Sequence, residues 1–262
     1  MRVRARLAVP RRHRYHTRPP SHVSGRLKIA IHPSHVEDYK TAFVEFAIRC
    51  KVLRFGEFSL KSGRKSPYFF NSGLFDSGRK LAQLAHYYAQ AIEASQMEFD
   101  MLFGAAYKGI PLVAALAVSL SEHFDHDVPY CFNRKEAKDH GEGGQTVGAP
   151  LEGRVLIVDD VISAGTSIRD SVNLISAAGA RATGVAISLD RQERGPDERS
   201  AIQSVEEDLG LRILSIISLD DLVEFLEADP RRAGDLQRVR AYCRAYGADR
   251  TQRGTGDVGL SR

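Results

Sequence analysis

Two adjacent carboxylates, Asp159 and Asp160, follow the apolar run Val155-Leu156-Ile157-Val158 and precede a turn of small residues, Ser163-Ala164-Gly165-Thr166. Four apolar residues in a row read as a buried strand, and a helix is predicted to start near Ser167. The acids therefore stand at the carboxyl end of a strand, the edge at which open α/β sheets bind ligands. A glycine-containing turn that enters a helix offers free backbone N–H groups and the positive end of the helix dipole, which suit a phosphate. The hydroxyls of Ser163, Thr166 and Ser167 add further donors. The carboxylates would repel the same phosphate, so they suit sugar hydroxyls or a metal ion. A phosphate beside vicinal hydroxyls describes a ribose 5-phosphate. Two other nucleotide-binding turns do not fit, because the chain has no GxxxxGK[ST] run and no GxGxxG at a strand end.

Other chemistry-bearing residues are more ambiguous on their own. Residues 133–144 carry Arg134, Lys135, Lys138 and His140 ahead of Gly141, Gly143 and Gly144. A polar, glycine-rich loop with several cations can close over a polyanion, although most charge runs are simply solvated. Tyr107 and Lys108 follow a predicted strand in a turn closed by Gly109, a place where a lysine is usually a surface residue. Phe69 and Phe70 are neighbours in an extended segment, so one faces a ligand and the other the core.

The elements that must position these residues alternate along the chain. A helix is predicted around Ala42, Phe43, Phe46 and Ala47, which share one face. Short strands and turns follow over 56–75. A helix over 77–95 puts Leu81, Leu84, Ala85, Tyr88 and Ile92 on one side. Strands are predicted at 101–104, 130–132, 155–158, 183–189 and 213–217. Helices are predicted at 110–123, 166–178, 199–209, 219–227 and 235–246, the first with Pro111 in its opening turn. Strand–helix alternation of this kind indicates an α/β fold, a mostly parallel sheet with helices on both faces.

The 262 residues fit one α/β domain with appendages, and 43% hydrophobic residues suffice for a sizeable core. Cys50, Cys131 and Cys243 are widely spaced, which argues for reduced thiols in a cytosolic protein and against zinc. No apolar run reaches eighteen residues, so no membrane span is expected. The formal net charge of +4 is unevenly distributed. Residues 1–35 hold nine of the 37 lysines and arginines and no acid, which leaves 28 cations against 33 acids in the rest. The basic balance thus says nothing about nucleic-acid binding by the folded part. Residues 1–35 read as a disordered basic extension, and residues 249–262 as a flexible tail. Three readings of the extension stay open: an organelle leader, an arm that touches nucleic acid, or a start-site artefact with Val36 near the true beginning.

The segment 155–167 resembles the phosphoribosyl pyrophosphate signature of type I phosphoribosyltransferases. The stretches 60–71, 103–111, 130–144 and 188–195 are similar, in the same order, to bacterial orotate phosphoribosyltransferases, over roughly residues 36–247. The resemblance implies that family's fold: a mostly parallel sheet flanked by helices in a domain of about 36–248, with a small N-terminal hood over about 36–75. The implied reaction converts orotate and 5-phospho-α-D-ribose 1-diphosphate to orotidine 5′-phosphate and diphosphate, in pyrimidine biosynthesis. Mg²⁺ is the implied cofactor, held mainly by substrate and water rather than by side chains. By resemblance, Asp159 and Asp160 hold the ribose hydroxyls, and Val161, Ile162, Ser163, Ala164, Gly165, Thr166 and Ser167 form the rest of the sugar-phosphate site. Tyr107, Lys108, Arg134, Lys138 and His140 engage pyrophosphate. Phe69 and Phe70 line the orotate site, Arg191 pairs with the base, and Lys61 reaches substrate from the hood. A homodimer is implied, with loop 134–144 and Lys135 reaching into the neighbouring site. Ser163 departs from the threonine common in relatives but keeps the hydroxyl. Rival readings are a transferase for another base and a non-catalytic sensor of the sugar donor. The intact cationic loop argues against the sensor.

Overall fold

The computed structural model describes residues 34–60, 62–138, 144–162, 165–195 and 197–249, with the side chains of 34–38, 135–138 and 144 left out. Residues 1–33 of the expected basic extension and 250–262 of the expected tail lie outside the described residues. Ser34 and His35, expected in the extension, instead open the first helix.

Helix α1 (Ser34–Arg49) buries Phe43, Phe46 and Ala47, the face expected from their spacing. Strands β1 (Leu53–Ser59) and β2 (Lys65–Phe70) form a separate antiparallel pair. In β2 the pleat sends Ser66 and Tyr68 inward, while Lys65 between the strands' outer positions stays exposed. Asn71 then caps a 3₁₀ turn (Ser72–Leu74), its side chain accepting the Gly73 N–H. Ser77 caps α2 (Gly78–Ser95) by accepting the Lys80 N–H, and Leu84, Ala85, Tyr88 and Ile92 are buried as predicted.

The remaining chain alternates as expected: β3 (Met101–Gly104), α3 (Gly109–Phe124), β4 (Tyr130–Lys138), β5 (Gly144–Gly148), β6 (Arg154–Val158), α4 (Thr166–Ala177), β7 (Arg181–Asp190), α5 (Ala201–Leu209), β8 (Arg212–Ser218), α6 (Leu219–Glu227) and α7 (Ala233–Tyr246). The six strands from β3 onward form one sheet in the order β5-β4-β3-β6-β7-β8, parallel except for β4 with β5. From β3 the chain moves to β4 and β5 on one side. It then returns to β6 on the other side and continues outward through β7 to β8. The direction of winding therefore reverses between β3 and β6, and a crevice forms beyond their carboxyl ends.

Strand β6 shows why its run is apolar without alternation. Leu156 and Val158 enter the core under α1, α2 and α3, whereas Val155 and Ile157 enter the core beneath α4 and α5. Both faces are covered, so all four apolar positions from Val155 to Val158 are buried, while Arg154 at the strand's start is only half-buried. Each such side chain contributes roughly 1.5–3 kcal/mol by leaving water.

One expectation changes. The stretch 133–144 was expected to be loop throughout, but β4 continues to Lys138 and β5 begins at Gly144. Charged residues at a sheet edge carry no apolar period, and only the partner strand reveals them as strand. Among the described residues, no helix is long and apolar enough to cross a membrane.

Candidate active site

The end of β6 is tied into its surroundings on three sides. The Asp159 N–H donates to the Ala186 carbonyl at 3.1 Å, and the Ser188 N–H donates to the Asp160 carbonyl at 2.9 Å, so β7 holds the backbone of both acids. The Ser188 hydroxyl donates to the same Asp160 carbonyl at 2.6 Å. From α2, the buried Tyr88 hydroxyl donates to the Asp159 carbonyl at 2.8 Å. Burial pushes the Tyr88 phenol well above its ordinary pKa, which keeps it a donor.

Both acids are only 7% exposed. Asp159 accepts the Asp160 N–H at 2.8 Å and the Ser167 hydroxyl at 2.9 Å. Ser167 lies in the first turn of α4, so this bond fixes the helix entrance against the acid. Gly165 caps that helix at φ +71°, and a Cβ there would lie 2.8 Å from Val205 Cγ2. Asp160 accepts Lys108 Nζ at 2.5 Å and the Ser72 hydroxyl at 2.5 Å, both at Oδ2. Lys108 comes from the β3–α3 turn and Ser72 from the 3₁₀ turn after β2.

The β3–α3 turn is held tightly against β6. The Ala105 N–H donates to the Val158 carbonyl at 3.2 Å, and the Gly109 N–H donates to the Ala105 carbonyl at 2.8 Å. The Ala106 N–H is taken by Asn133 Oδ1 at 2.7 Å, which binds the turn to β4. The Ala106–Tyr107 peptide is cis. Tyr107, in this turn, is 70% exposed.

The structure thus brings together Asp159, Asp160, Lys108, Gly165, Thr166 and Ser167 from the predicted set. Val161 and Ile162 leave the strand end and pack partly on the two cores. Phe69 and Phe70 diverge, as neighbours on a strand must. Phe69 stacks on Phe58 at 5.5 Å with Arg54 over both rings, and Phe70 packs on the larger core. Arg191 follows β7 and is engaged locally: Glu193 Oε1 accepts its Nε at 2.9 Å and Nη2 at 2.5 Å, and its guanidinium lies 4.6 Å from the Tyr68 ring centre. Neither Phe69 nor Arg191 shares in the described hydrogen bonds of Asp159 and Asp160. Arg134 lies on β4. Lys61, His140, Ser163 and Ala164 lie outside the described residues, as do the side chains of Lys135 and Lys138.

Burial, with the Asp160 charge beside it, pushes the Asp159 carboxyl up to about 6, against the opposing hydrogen bonds from the Asp160 N–H and Ser167. A carboxyl whose folded pKa exceeds its unfolded value destabilises the fold when ionised. The cost is full above the folded pKa, declines as pH falls, and vanishes below the unfolded value near 4. Asp159→Asn keeps an acceptor for the Asp160 N–H and removes the buried charge. In metal-free buffer at pH 8 this variant is expected to be more stable than the parent by up to about 3 kcal/mol. The gain should disappear below about pH 4. Urea unfolding at both pH values checks this, and equal stability at pH 8 would refute the buried-charge assignment.

Comparison with known proteins agrees with this geometry. Residues 72–216 match the family model described as "Phosphoribosyl transferase domain". An orotate phosphoribosyltransferase of Klebsiella pneumoniae is 60% identical over 212 residues, 81% of this chain and 100% of that protein. One from Salmonella newport gives the same identity and the same coverage. The chain belongs to the orotate phosphoribosyltransferase family. The crystal structure of the Francisella tularensis member is 42% identical, with a TM-score of 0.72 over 79% of this chain and 100% of that one.

For a chain of the orotate phosphoribosyltransferase family, the sequence motifs marked the acids but not what holds them. Ser72, Tyr88 and Ser188 lie 88, 71 and 28 residues from their partners in the acidic pair. Asn71-Ser72-Gly73 signals a turn, and Tyr88 signals only a buried helix position. Glu193, three residues after Asp190, was equally unmarked as the partner of Arg191.

Proposed function

We propose that this chain transfers ribose 5-phosphate from 5-phospho-α-D-ribose 1-diphosphate to orotate, forming orotidine 5′-phosphate and diphosphate in pyrimidine biosynthesis. The observation that carries this reading is the meeting of Asp159, Asp160, Lys108 and the α4 entrance at the switch point of the sheet. Acids for sugar hydroxyls, a helix N-terminus for a phosphate and a cation for a leaving group occur together at one edge.

The ribose 5-phosphate lies with its phosphate on the turn 161–167 at the α4 N-terminus, with Ser163, Thr166 and Ser167 as the hydroxyl-bearing residues of that turn. Asp159 and Asp160 accept from the ribose hydroxyls and stabilise positive charge as it develops on the sugar ring. Lys108 leaves Asp160 for the diphosphate, joined by Tyr107, Arg134, Lys138 and His140. Phe69 offers its ring to the orotate and Phe70, whose ring packs on the core, its backbone polar groups. Arg191 and Lys61 answer the charge of the base, with the planar guanidinium suited to a carboxylate or imide edge. Orotate attacks the anomeric carbon through a ring nitrogen that has lost its proton to water or to the site as the C–O bond to diphosphate breaks. No single general base is assigned, and the residues named act chiefly by positioning and electrostatics.

Mg²⁺ suits this donor set, since adjacent carboxylates are hard oxygen donors, and Asp159 and Asp160 would hold it through its waters while the substrate supplies the rest. When bound it neutralises the charge of the leaving group. The protein works as a homodimer in which loop 134–144, with Lys135, serves the neighbouring site. Three free cysteines among the described residues support a cytosolic setting.

Loss of orotate absorbance in the ultraviolet tests the reading. Consumption should require the sugar donor and Mg²⁺, each omitted in turn. Turnover of uracil or a purine in place of orotate would overturn the choice of base. Absence of turnover with any base would favour a sensor.

A further inference from the structure

Asp160 Oδ2 has two side-chain donors of different kinds. Lys108 Nζ stands 2.5 Å away and the Ser72 hydroxyl 2.5 Å away, and Lys108 Nζ also lies 3.3 Å from Ser72 Oγ. The lysine side chain is more than half exposed on a turn and can swing to an arriving polyanion. Ser72 cannot follow it. Its 3₁₀ turn is closed by the Phe75 N–H on the Ser72 carbonyl at 3.0 Å, by Asn71 on the Gly73 N–H at 3.1 Å and by Lys80 Nζ on the Leu74 carbonyl at 3.0 Å. The turn also follows directly on Phe69, Phe70 and Asn71, so it joins the segment assigned to the base to the acids assigned to the sugar.

We propose that Ser72 is a positioning residue for the transfer reaction. Its hydroxyl keeps the Asp160 carboxylate in one orientation after Lys108 has moved to the diphosphate, leaving Oδ1 to accept from a ribose hydroxyl. This inference rests on the function proposed above. A carboxylate with one oxygen anchored meets the sugar in a single geometry, whereas an unanchored one must be ordered at each turnover.

Ser72→Ala and Ser72→Thr, compared with the parent chain under varied orotate and varied sugar donor, test the assignment. The alanine variant should lose about tenfold in kcat, the scale of one charge-assisted hydrogen bond. Its KM for the sugar donor should rise while its KM for orotate stays unchanged. Threonine keeps the hydroxyl and should restore most of the activity. Thermal unfolding of both variants accompanies the kinetics to show that they are folded. Parent-like kinetics in the alanine variant would overturn the proposal. So would a defect confined to orotate KM, which marks a brace for the β1–β2 pair, or a threonine variant as poor as alanine. Failure of the parent chain to consume orotate is a different result and would remove the function itself.

Discussion

Lys138→Ala is expected to lower kcat by roughly two to three orders of magnitude and to leave the fold unchanged, on the scale of about 3–4 kcal/mol for one transition-state contact. Lys138 ends β4, where its backbone pairs with Gly144 at the tip of the β4–β5 hairpin. That end lies beyond the part of β4 that pairs with β3, namely Tyr130 to Phe132. The substitution removes one positive charge from a strand end outside the parallel core of the sheet. The large effect is electrostatic in origin. On the proposed function, negative charge accumulates on the departing diphosphate, and the Lys138 cation opposes it in a site of low polarity. Substrate binding should suffer less than kcat, because the charge is larger in the transition state than in the bound substrate. Steady-state kinetics and urea unfolding of the variant check both halves. Near-parent kcat would remove the segment from the chemistry. Mixing this variant with Asp160→Asn tests the shared loop, since mixed dimers regain activity only when one subunit's loop serves the other's acids.

Gly109→Ala is the second large effect, and here the cause is steric. A Cβ at Gly109 would lie 2.6 Å from the Val158 carbonyl oxygen and 2.9 Å from the Gly104 carbonyl carbon. Both are backbone atoms in paired strands, so neither can rotate aside. The Val158 carbonyl already takes the Ala105 N–H, and the methyl must push the β3–α3 turn away from β6. Overpacking of this kind costs roughly 1–3 kcal/mol of stability. The functional loss is larger, because the displaced turn carries Tyr107 and Lys108. A shift of about 1 Å in a positioning group can cost about 100-fold in rate. Urea unfolding with kcat/KM measures the two effects together. Parent-like turnover would show that the turn has slack the structure does not suggest.

Much of the architecture was legible because burial writes a period into the chain. The runs at 101–104 and 155–158 matched β3 and β6 closely, since strands covered on both faces are apolar at every position. The helix over 77–95 was legible from its one apolar face, whereas the Ser77 cap came only with the structure. The acidic pair and the small-residue turn were legible because a phosphate cradle and a sugar-binding acid demand particular residue types in close sequence. β5 and the outer half of β4 were not, because an edge hairpin of polar residues is defined by its partner rather than by a hydrophobic period.

The sequence by itself determined the order of elements apart from β5, the chemical character of the 155–167 segment and the family to which the chain belongs. Local propensity, hydrophobic period and motif spacing are all properties of neighbours along the chain. Only the tertiary structure decided that Ser72 and Lys108 share one oxygen of Asp160, that Tyr88 holds the carbonyl of Asp159, and that Arg191 rests on Glu193 and Tyr68. Those partners stand on different elements, and a hydrogen bond a few ångströms long between them leaves no periodic trace in the order of residues.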